Sequence, residues 1–395
     1  WRDKPYDFPP QPLYDFMRLE LFLFRDANFW PDFPTSAEKA MALYSYGQDV
    51  PLPDGVIAVD QHFLQRLVAA VGPVPISELG VTLNEENSIE LIQSAWAIQD
   101  GQEIGDWLTD RKDFIGLLAA GIQAKLESGN VNFPRLVQNM YAALQTKDLQ
   151  IYLRDPQTAL ILHQLGWDGR LPQNPDYDFL MVVDDNMGYF KSNIVVKRQF
   201  RYQVTIAEDG SAQARLTAEY QHNGEDNGQV CTQGAKYNLE TAVSYQSLVN
   251  RCYWNYLRLY TPHGSQLLDA SSHTVPAAAM MSGQSWNGRA QPVSDLTGLT
   301  TFATFFVLPI AQQTTSYFTY QLPSNIIHHT PNGQQYQLQI FKQAGTKSEP
   351  MEVMIQLPVG AQLLQTQPTP ETFEKNLITY QLDLDSDTTI SVQFK

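Results

Sequence analysis

The sequence is that of an acidic chain of 395 residues, with a formal charge of −16 and 43% hydrophobic residues. This charge excludes a general nucleic-acid-binding surface, because neutralising phosphates requires a basic face. The hydrophobic content is enough for a large core, and no apolar run approaches the ~20 residues that cross a bilayer.

The first part of the sequence alternates apolar, strand-like runs with capped helical segments. Three of the runs end in an acid that is followed by a helix signal, and these acids are Asp26, Asp60 and Asp155. Helix capping is enough to explain Asp60 and Asp155. Asp26 with Arg25 has two interpretations, a surface ion pair or a ligand site, since ligands collect where strands end in α/β sheets. We predict an α/β domain, a sheet flanked by helices, over residues 1–172.

The period of the apolar residues changes from 3.6 to 2 after the Pro-rich segment 172–175. Apolar and polar residues alternate from Val196 to Ile206, and Asp209-Gly210 then supplies a hairpin turn. Further strand-like runs follow, separated by turn residues. We predict a mostly antiparallel β-sandwich region over residues 176–395, as one module or two, and therefore an α+β multidomain fold.

Cys231 and Cys252 are the only cysteines in the sequence. Two cysteines without suitably spaced histidines do not make a zinc site. They form either a disulfide or two buried thiols, and we predict the disulfide because Cys252 opens a strand-like run that follows Cys231. A disulfide is typical of an oxidising, extracellular compartment.

Short segments along nearly the whole chain resemble a known family. They are residues 25–34, 54–60, 72–74, 111–114, 152–156, 166–169, 181–188, 256–264 and 342–346. In these segments the sequence resembles an uncharacterised family of bacterial envelope proteins, a domain of unknown function. The first domain of that family is distantly similar to the LytR-CpsA-Psr glycopolymer ligases.

The resemblance implies a phosphate site. In the ligases an Arg-Asp pair after a central strand helps to bind the pyrophosphate of a lipid-linked glycan and a divalent cation. By position this pair is Arg25 and Asp26, and Arg111 with Asp113 is the nearest match to a second set of contacts. Guanidinium groups clamp phosphate oxygens, and Asp26 would hold Mg²⁺, a cofactor expected only if the chain is an enzyme.

The resemblance also implies a missing strand. The related proteins carry a strand upstream of the first matching segment, and this sequence starts after that point. We therefore expect an open sheet edge that a strand-donating partner or companion fragment completes. Any membrane anchor is expected upstream of Trp1.

No complete catalytic motif stands out, since the sequence lacks a P-loop, a G-x-G-x-x-G and a G-x-S-x-G motif. The catalytic residues are therefore unknown. We expect an extracellular cell-envelope protein that acts in surface binding or assembly, with a vestigial or partial phosphate or glycan site. Its expected partner is an envelope glycan or another surface protein. The alternative is a glycopolymer phosphotransferase that uses a polyprenyl-pyrophosphate-linked glycan.

Overall fold

The computed structural model describes residues 4–94, 104–226, 228–234 and 245–395. They form two compact units. The helix-rich unit contains the described residues of Phe33–Arg170 and Gly234–Val249. The β-rich unit contains those of Trp1–Asp32, Leu171–Gln233 and Asn250–Lys395. The structure confirms the α+β class.

Eight α-helices and 21 strands lie in the described ranges. The helices are α1 Gln11–Met17, α2 Phe33–Gln48, α3 Gln61–Val71, α4 Ser88–Ser94, α5 Ile104–Glu127, α6 Phe133–Gln145, α7 Pro156–Gln164 and α8 Tyr245–Val249. The strands are β1 Gly55–Val59, β2 Val74–Ile76, β3 Val81–Leu83, β4 Leu149–Leu153, β5 Asp178–Asn186, β6 Val196–Ile206, β7 Ala212–His222, β8 Tyr253–Pro262, β9 Gln266–Ala270, β10 Ser272–Val275, β11 Trp286–Arg289, β12 Gln291–Val293, β13 Leu299–Leu308, β14 Gln313–Gln321, β15 Ile327–Thr330, β16 Gly333–Phe341, β17 Pro350–Gln356, β18 Leu363–Gln367, β19 Thr372–Glu374, β20 Leu377–Asp383 and β21 Thr388–Phe394. None of the helices in the described ranges is long and apolar enough to cross a membrane.

Two of the three predicted strand-to-helix junctions are present in the helix-rich unit. Asp60 follows β1 and caps α3, with its Oδ1 accepting the N–H of Phe63 at 2.9 Å. Asp155 follows β4 and caps α7, with its Oδ2 accepting the N–H of Thr158 at 2.8 Å. These caps satisfy backbone donors that the first turn of a helix leaves free. The predictions for Asp60 and Asp155 are therefore confirmed.

The sheets of the helix-rich unit are smaller than the α/β prediction implied. Its described strands form two antiparallel pairs, β1 with β4 and β2 with β3. Helices α3, α5 and α6 supply most of the packing, around a core that includes Val68, Val74, Leu83, Leu118 and Ile122. The helices cover so few strands that the unit is better described as helical.

The predicted strand before Arg25 is wrong. The segment from Leu19 is irregular and ends in a 3-10 helix, Phe24–Asp26. Arg18 has a left-handed backbone, with φ 55, and turns the chain out of α1. The side chain of Phe22 is buried through tertiary packing rather than within a sheet, which explains why an apolar run here is not a strand. This segment also belongs to the β-rich unit, whereas the sequence prediction placed it in the first domain.

Two large sheets form the β-rich unit. The eight-stranded sheet has the order β12-β13-β8-β5-β16-β21-β18, with β15 also paired to β16. The seven-stranded sheet has the order β19-β20-β17-β6-β7-β14-β9. Most neighbours are antiparallel, and β5–β16 and β6–β17 are parallel. One hydrophobic core takes side chains from both sheets.

The predicted alternation and hairpin between residues 196 and 222 are confirmed. Phe200, Tyr202 and Val204 point into the core, and β6 pairs antiparallel with β7. In the turn, the Oδ1 of Asp209 accepts the N–H of Ser211 at 2.9 Å, and Gly210 has φ 81. A period of two places every second side chain on the buried face of a strand.

A carboxyl group, Asp178, lies fully buried in this core. Its Oδ2 accepts the hydroxyls of Tyr202 at 2.8 Å and Tyr336 at 2.5 Å, and Tyr320 donates to the Tyr202 hydroxyl at 3.0 Å. Its Oδ1 has no hydrogen-bond partner among the described residues. Burial raises the pKa of Asp178 to about 7, against the opposing effect of the two tyrosine hydroxyls. The carboxyl is therefore partly protonated near neutral pH.

We expect Asp178 to make the folded protein less stable as the pH rises from about 4 to 7. The folded protein keeps a proton on Asp178 that the unfolded chain, with the ordinary pKa of 3.8, has released. The resulting stabilisation is complete below the unfolded pKa and is lost as the pH rises through the folded pKa, by at most about 1.4 kcal/mol per pH unit. Urea denaturation of the wild type and D178N between pH 5.5 and 8 measures it. The free energy of unfolding of the wild type should fall relative to that of D178N as the pH rises. The same pH dependence in both proteins would contradict the raised pKa of Asp178.

Candidate functional site

Residues 4–32, which we call the strap, contact strands of the eight-stranded sheet. The Nη2 of Arg258, in β8, donates to the backbone oxygen of Phe29 at 2.7 Å. The same guanidinium lies 4.3 Å from the centroid of the Phe29 ring. Phe16 stacks on Phe305 of β13, with 4.0 Å between ring centroids. Cation–π and aromatic contacts of this kind hold the strap on the sheet.

A cavity of about 230 Å³ lies between the strap and the end of β5. Its lining residues are Leu13, Met17, Leu19, Arg25, Asp26, Asn28, Phe29, Asp184, Asp185, Asn186 and Met187. The structure thus brings Arg25 and Asp26 next to Asp184–Asn186, which are about 160 residues away in the sequence. Asp184, Asp185 and Asn186 are the last three residues of β5.

Within the described part of the chain, the polar contacts of Asp26 are with its sequence neighbours. Its Oδ2 accepts the N–H of Leu23 at 3.3 Å, and its Oδ1 lies 3.5 Å from the Nε of Arg25. Burial raises the pKa of Asp26, and the neighbouring Arg25 lowers it by less. The Arg25 side chain is 69% exposed and so remains available to solvent. These contacts show a local ion pair at the end of a 3-10 helix.

The cavity does not fit the Mg²⁺ site that the resemblance implied for Asp26. Mg²⁺ prefers near-octahedral oxygen ligands, which include one or two carboxylates. Both oxygens of Asp26 face nearby donors, and a cation there would lie beside the Arg25 guanidinium. In the part of the chain that the structure describes, no three His, Cys, Asp or Glu side chains are placed to hold a metal ion.

Arg258 is the centre of a buried ion-pair cluster behind the cavity. Its Nη1 lies 2.6 Å from the Oδ2 of Asp295, which also accepts the Tyr260 hydroxyl. Its Nη2 lies 2.8 Å from the Oδ2 of Asp185. Burial raises the pKa of Asp185 to about 6, and Arg258 opposes this shift. The cluster holds two carboxylates around one fully buried guanidinium.

A second cluster surrounds Asp184. The Nη1 of Arg198 donates to its Oδ2 at 2.7 Å, and Arg198 also pairs with Glu349. The Oδ1 of Asp184 accepts the Tyr220 hydroxyl at 2.8 Å and the amide of Asn255 at 2.7 Å. The oxygens of Asp184 are therefore occupied within the protein.

The chemistry of the cavity does not favour phosphate. Its wall and the two clusters together carry five carboxylates and three guanidiniums, and Arg198 and Arg258 are already paired. Arg25 is the cation near the cavity that is largely exposed. Buried, paired charges of this kind are more typical of structural networks than of an anion site.

The predicted second half of the phosphate site, Arg111 and Asp113, belongs to the other unit. Arg111 and Asp113 lie within α5, seven and nine residues after its first residue, rather than at a helix start. They belong to the helix-rich unit, whereas Arg25 and Asp26 belong to the β-rich unit. Asp113 is exposed, and the Arg111 side chain lies outside what the structure describes. Neither unit by itself contains the predicted four-residue site.

The helix-rich unit offers a second candidate site at the edge of β1. In the β1–β4 pair, the N–H of Arg154 donates to the oxygen of Asp54 at 2.9 Å, and that of Asp60 to the oxygen of Asp148 at 3.1 Å. Hydrogen-bonded pairs alternate along an antiparallel ladder. The backbone N–H and C=O groups of Val56 and Ala58 therefore face β4, and those of Gly55, Ile57 and Val59 point away from it.

The two edges of this small sheet differ. On β4 the outward N–H of Ile151 donates to the oxygen of Trp167 at 3.1 Å, so the chain covers that edge. On β1 no described strand pairs with the outward edge. The side chains of Ile57 and Val59 are also 67% and 55% exposed. An open edge was expected from the sequence, and the described residues place it at β1.

Two helices of the same unit expose further apolar side chains. They are Phe133, Val137 and Tyr141 on α6 and Leu160 and Ile161 on α7. The three residues of α6 are spaced by four and therefore form one stripe along the helix. Exposed apolar side chains grouped along one helix face mark interaction sites.

The predicted disulfide is present. Cys231 and Cys252 are bonded, with 5.5 Å between their Cα atoms, within the range that a disulfide requires. Cys252 immediately precedes β8, as the sequence pattern indicated.

Arg258 and Arg198 were not among the site residues predicted from the sequence. A signal for Arg258 was present, because it stands between Leu257 and Leu259 in a strand-like run in which every residue is buried. A charge inside such a strand predicts a buried ion pair. Its partner Asp295 is 37 residues away and could not be identified from the sequence.

Comparisons with solved structures give only distant similarities. A candidate nutrient binding protein from Legionella pneumophila has 8% identity and a TM-score of 0.30, over 55% of this chain and 71% of that chain. A candidate protease from Parabacteroides distasonis has 9% identity and a TM-score of 0.24, over 51% of this chain and 40% of that chain. An M1 zinc metallopeptidase from Deinococcus radiodurans has 10% identity and a TM-score of 0.21, over 50% and 42%. Similarities at this level support no conclusion about function.

Comparisons with known sequences also give no information about function. No curated protein matches the chain significantly. Residues 2–96 match the model of one family, described as a protein of unknown function (DUF4012). The predicted resemblance to an uncharacterised family is thus supported at this coarser level.

Proposed function

We propose that the chain is an extracellular protein of the bacterial cell envelope that acts in binding or assembly. The observation that carries this proposal is the exposed apolar surface of the helix-rich unit. We call this set the apolar surface, and its residues are Ile57, Val59, Phe133, Val137, Tyr141, Leu160 and Ile161. In a chain of net charge −16, exposed apolar side chains on several elements of one unit favour a partner-binding role.

Two further features support the proposal. The disulfide between Cys231 and Cys252 is typical of proteins outside the reducing cytosol. The β-rich unit, whose two sheets share one core, would serve as a rigid sandwich-type platform. The resemblance of the first domain to the LytR-CpsA-Psr ligases is retained here as a proposed origin of the helix-rich unit.

The alternative function is a glycopolymer phosphotransferase with a polyprenyl-pyrophosphate-linked glycan as donor. The exposed guanidinium of Arg25 beside the cavity favours it. The paired carboxylates Asp184 and Asp185 in the same wall oppose it, because they would repel a pyrophosphate. The charges around the cavity therefore favour the binding function over the phosphotransferase.

The binding proposal predicts that the chain sediments with isolated bacterial envelope fragments through its apolar surface. Replacing Phe133 and Tyr141 with glutamate should reduce the sedimented fraction at least tenfold, because charges cannot be buried in an apolar contact without cost. Both side chains are more than half exposed, so the folded unit should tolerate the changes. Val359→Glu, at a position that is 89% exposed in the β-rich unit, is the matched control.

Pretreatment of the fragments assigns the partner class. Binding that is lost after protease treatment identifies a surface protein, and binding that is lost after muramidase digestion identifies a glycan. The proposal fails if the wild type does not sediment with the fragments, or if F133E/Y141E binds as the wild type does. Transfer of a glycan from a polyprenyl pyrophosphate, abolished by Arg25→Ala, would establish the alternative instead.

A further inference from the structure

We propose that the outward edge of β1 binds an extended segment of another polypeptide as an added β-strand. This inference rests on the proposed binding function and names its partner class. The site consists of Gly55, Ile57 and Val59. The partner is a short apolar strand with basic residues at its ends.

The backbone of β1 specifies an extended chain. The N–H and C=O groups of Gly55, Ile57 and Val59 point away from β4, with a spacing of two residues. Only another strand presents donors and acceptors at this spacing, so strand addition is the interaction that satisfies this edge. The equivalent edge of β4 is covered, since Ile151 donates its N–H to Trp167.

The side chains of β1 give the edge no protection. Exposed edges in soluble proteins usually carry a lysine, a proline, a bulge or a covering loop. Residues 55–59 read Gly-Val-Ile-Ala-Val, and the β1–β4 register is continuous. Ile57 and Val59 lie on one face of the strand and are mostly exposed. An added strand with apolar side chains on that face would cover them.

The charges beside β1 argue against a second copy of this chain and for a basic partner. Asp54 and Asp60 flank the strand. Two β1 strands paired antiparallel about Ile57 would place Asp54 of each copy opposite Asp60 of the other. Like charges at opposed positions destabilise a pair. Lysine or arginine at an end of the incoming segment would instead be attracted to the exposed carboxylate of Asp54.

The probe for this site is a labelled peptide of five alternating valine and threonine residues with two lysines at each end. Fluorescence anisotropy measures its binding to the full chain, and amide hydrogen exchange locates it. In the free protein the outward amides of Ile57 and Val59 should exchange faster than those of Val56 and Ala58, which face β4. Saturating peptide should slow the two outward amides at least tenfold.

Two variants and two control peptides make the test specific. Ile57→Lys combined with Val59→Lys should weaken binding at least tenfold, whereas Ile115→Lys, at an exposed apolar position of α5, should not change it. A peptide with a central proline should bind at least tenfold more weakly, because it lacks a ladder donor. A peptide with glutamates in place of the lysines should also bind more weakly.

Several results would overturn the inference. These are equal binding by I57K/V59K, unchanged exchange at Ile57 and Val59 with bound peptide, or protection of both amides in the free monomer. Protection that grows with protein concentration would identify a second copy as the occupant and would also refute the inference. Envelope binding that persists in I57K/V59K would refute the inference and leave the proposed function intact. A wild type that does not bind envelope fragments would refute the function itself.

Discussion

Replacing Arg258 with methionine is expected to lower the free energy of unfolding of the β-rich unit by about 3–5 kcal/mol. The guanidinium is fully buried and lies between Asp185 and Asp295. Methionine fills much of the volume but leaves both carboxylates without their cation. The change also removes the donor to the backbone oxygen of Phe29, so the strap should become more mobile.

Urea denaturation at pH 7.5 measures the loss of stability, and amide exchange of β8 and of the strap locates it. The matched control is Arg201→Ala. Arg201 pairs with Glu352 at 2.6 Å, but its side chain is 46% exposed. Exposed ion pairs contribute about 0–1 kcal/mol, so the control should change little. A loss below about 1 kcal/mol for R258M would show that the buried cluster does not depend on this cation.

Replacing Cys231 and Cys252 together with serine is expected to lower the free energy of unfolding of the β-rich unit by about 3 kcal/mol. The bridge closes a loop with a sequence separation of 21. It restricts the unfolded chain more than the folded one, and its removal therefore favours unfolding. The same loss should follow reduction of the wild type.

Denaturation with and without dithiothreitol tests this result. Dithiothreitol should lower the stability of the wild type and leave C231S/C252S unchanged. Labelling of the unreduced protein should find no free thiol. Two free thiols in protein secreted to an oxidising compartment would contradict the bridge and remove one support for the extracellular proposal.

Local patterns in the sequence predicted the structure correctly where interactions between neighbouring residues determine it. The hairpin of β6 and β7 follows from alternation and from Asp209-Gly210, because a strand period and a turn type are local properties. The caps at Asp60 and Asp155 follow for the same reason, since each carboxylate bonds an N–H three residues later. The disulfide was also predictable, because the chain contains only two cysteines.

The run before Arg25 shows where local patterns fail. Its apolar residues are typical of a strand, but Phe22 is buried by packing and the segment enters no sheet. A run of this length can be buried by a sheet or by irregular packing, and its own composition does not distinguish the two. The segment also belongs to the β-rich unit rather than to the predicted first domain, because the strap packs with strands that lie more than 200 residues later.

The sequence by itself determined the acidic surface, the α+β class, the hairpin, two helix caps and the cysteine pairing, because composition and short-range hydrogen bonds decide these features. Only the tertiary structure decided that Arg25 and Asp26 adjoin Asp184–Asn186, that Arg258 pairs with Asp185 and Asp295, and that no described strand covers the outward edge of β1. Each of these depends on pairs of residues far apart in the chain. Such pairs are set by sheet order and burial, which one sequence does not encode in any local pattern.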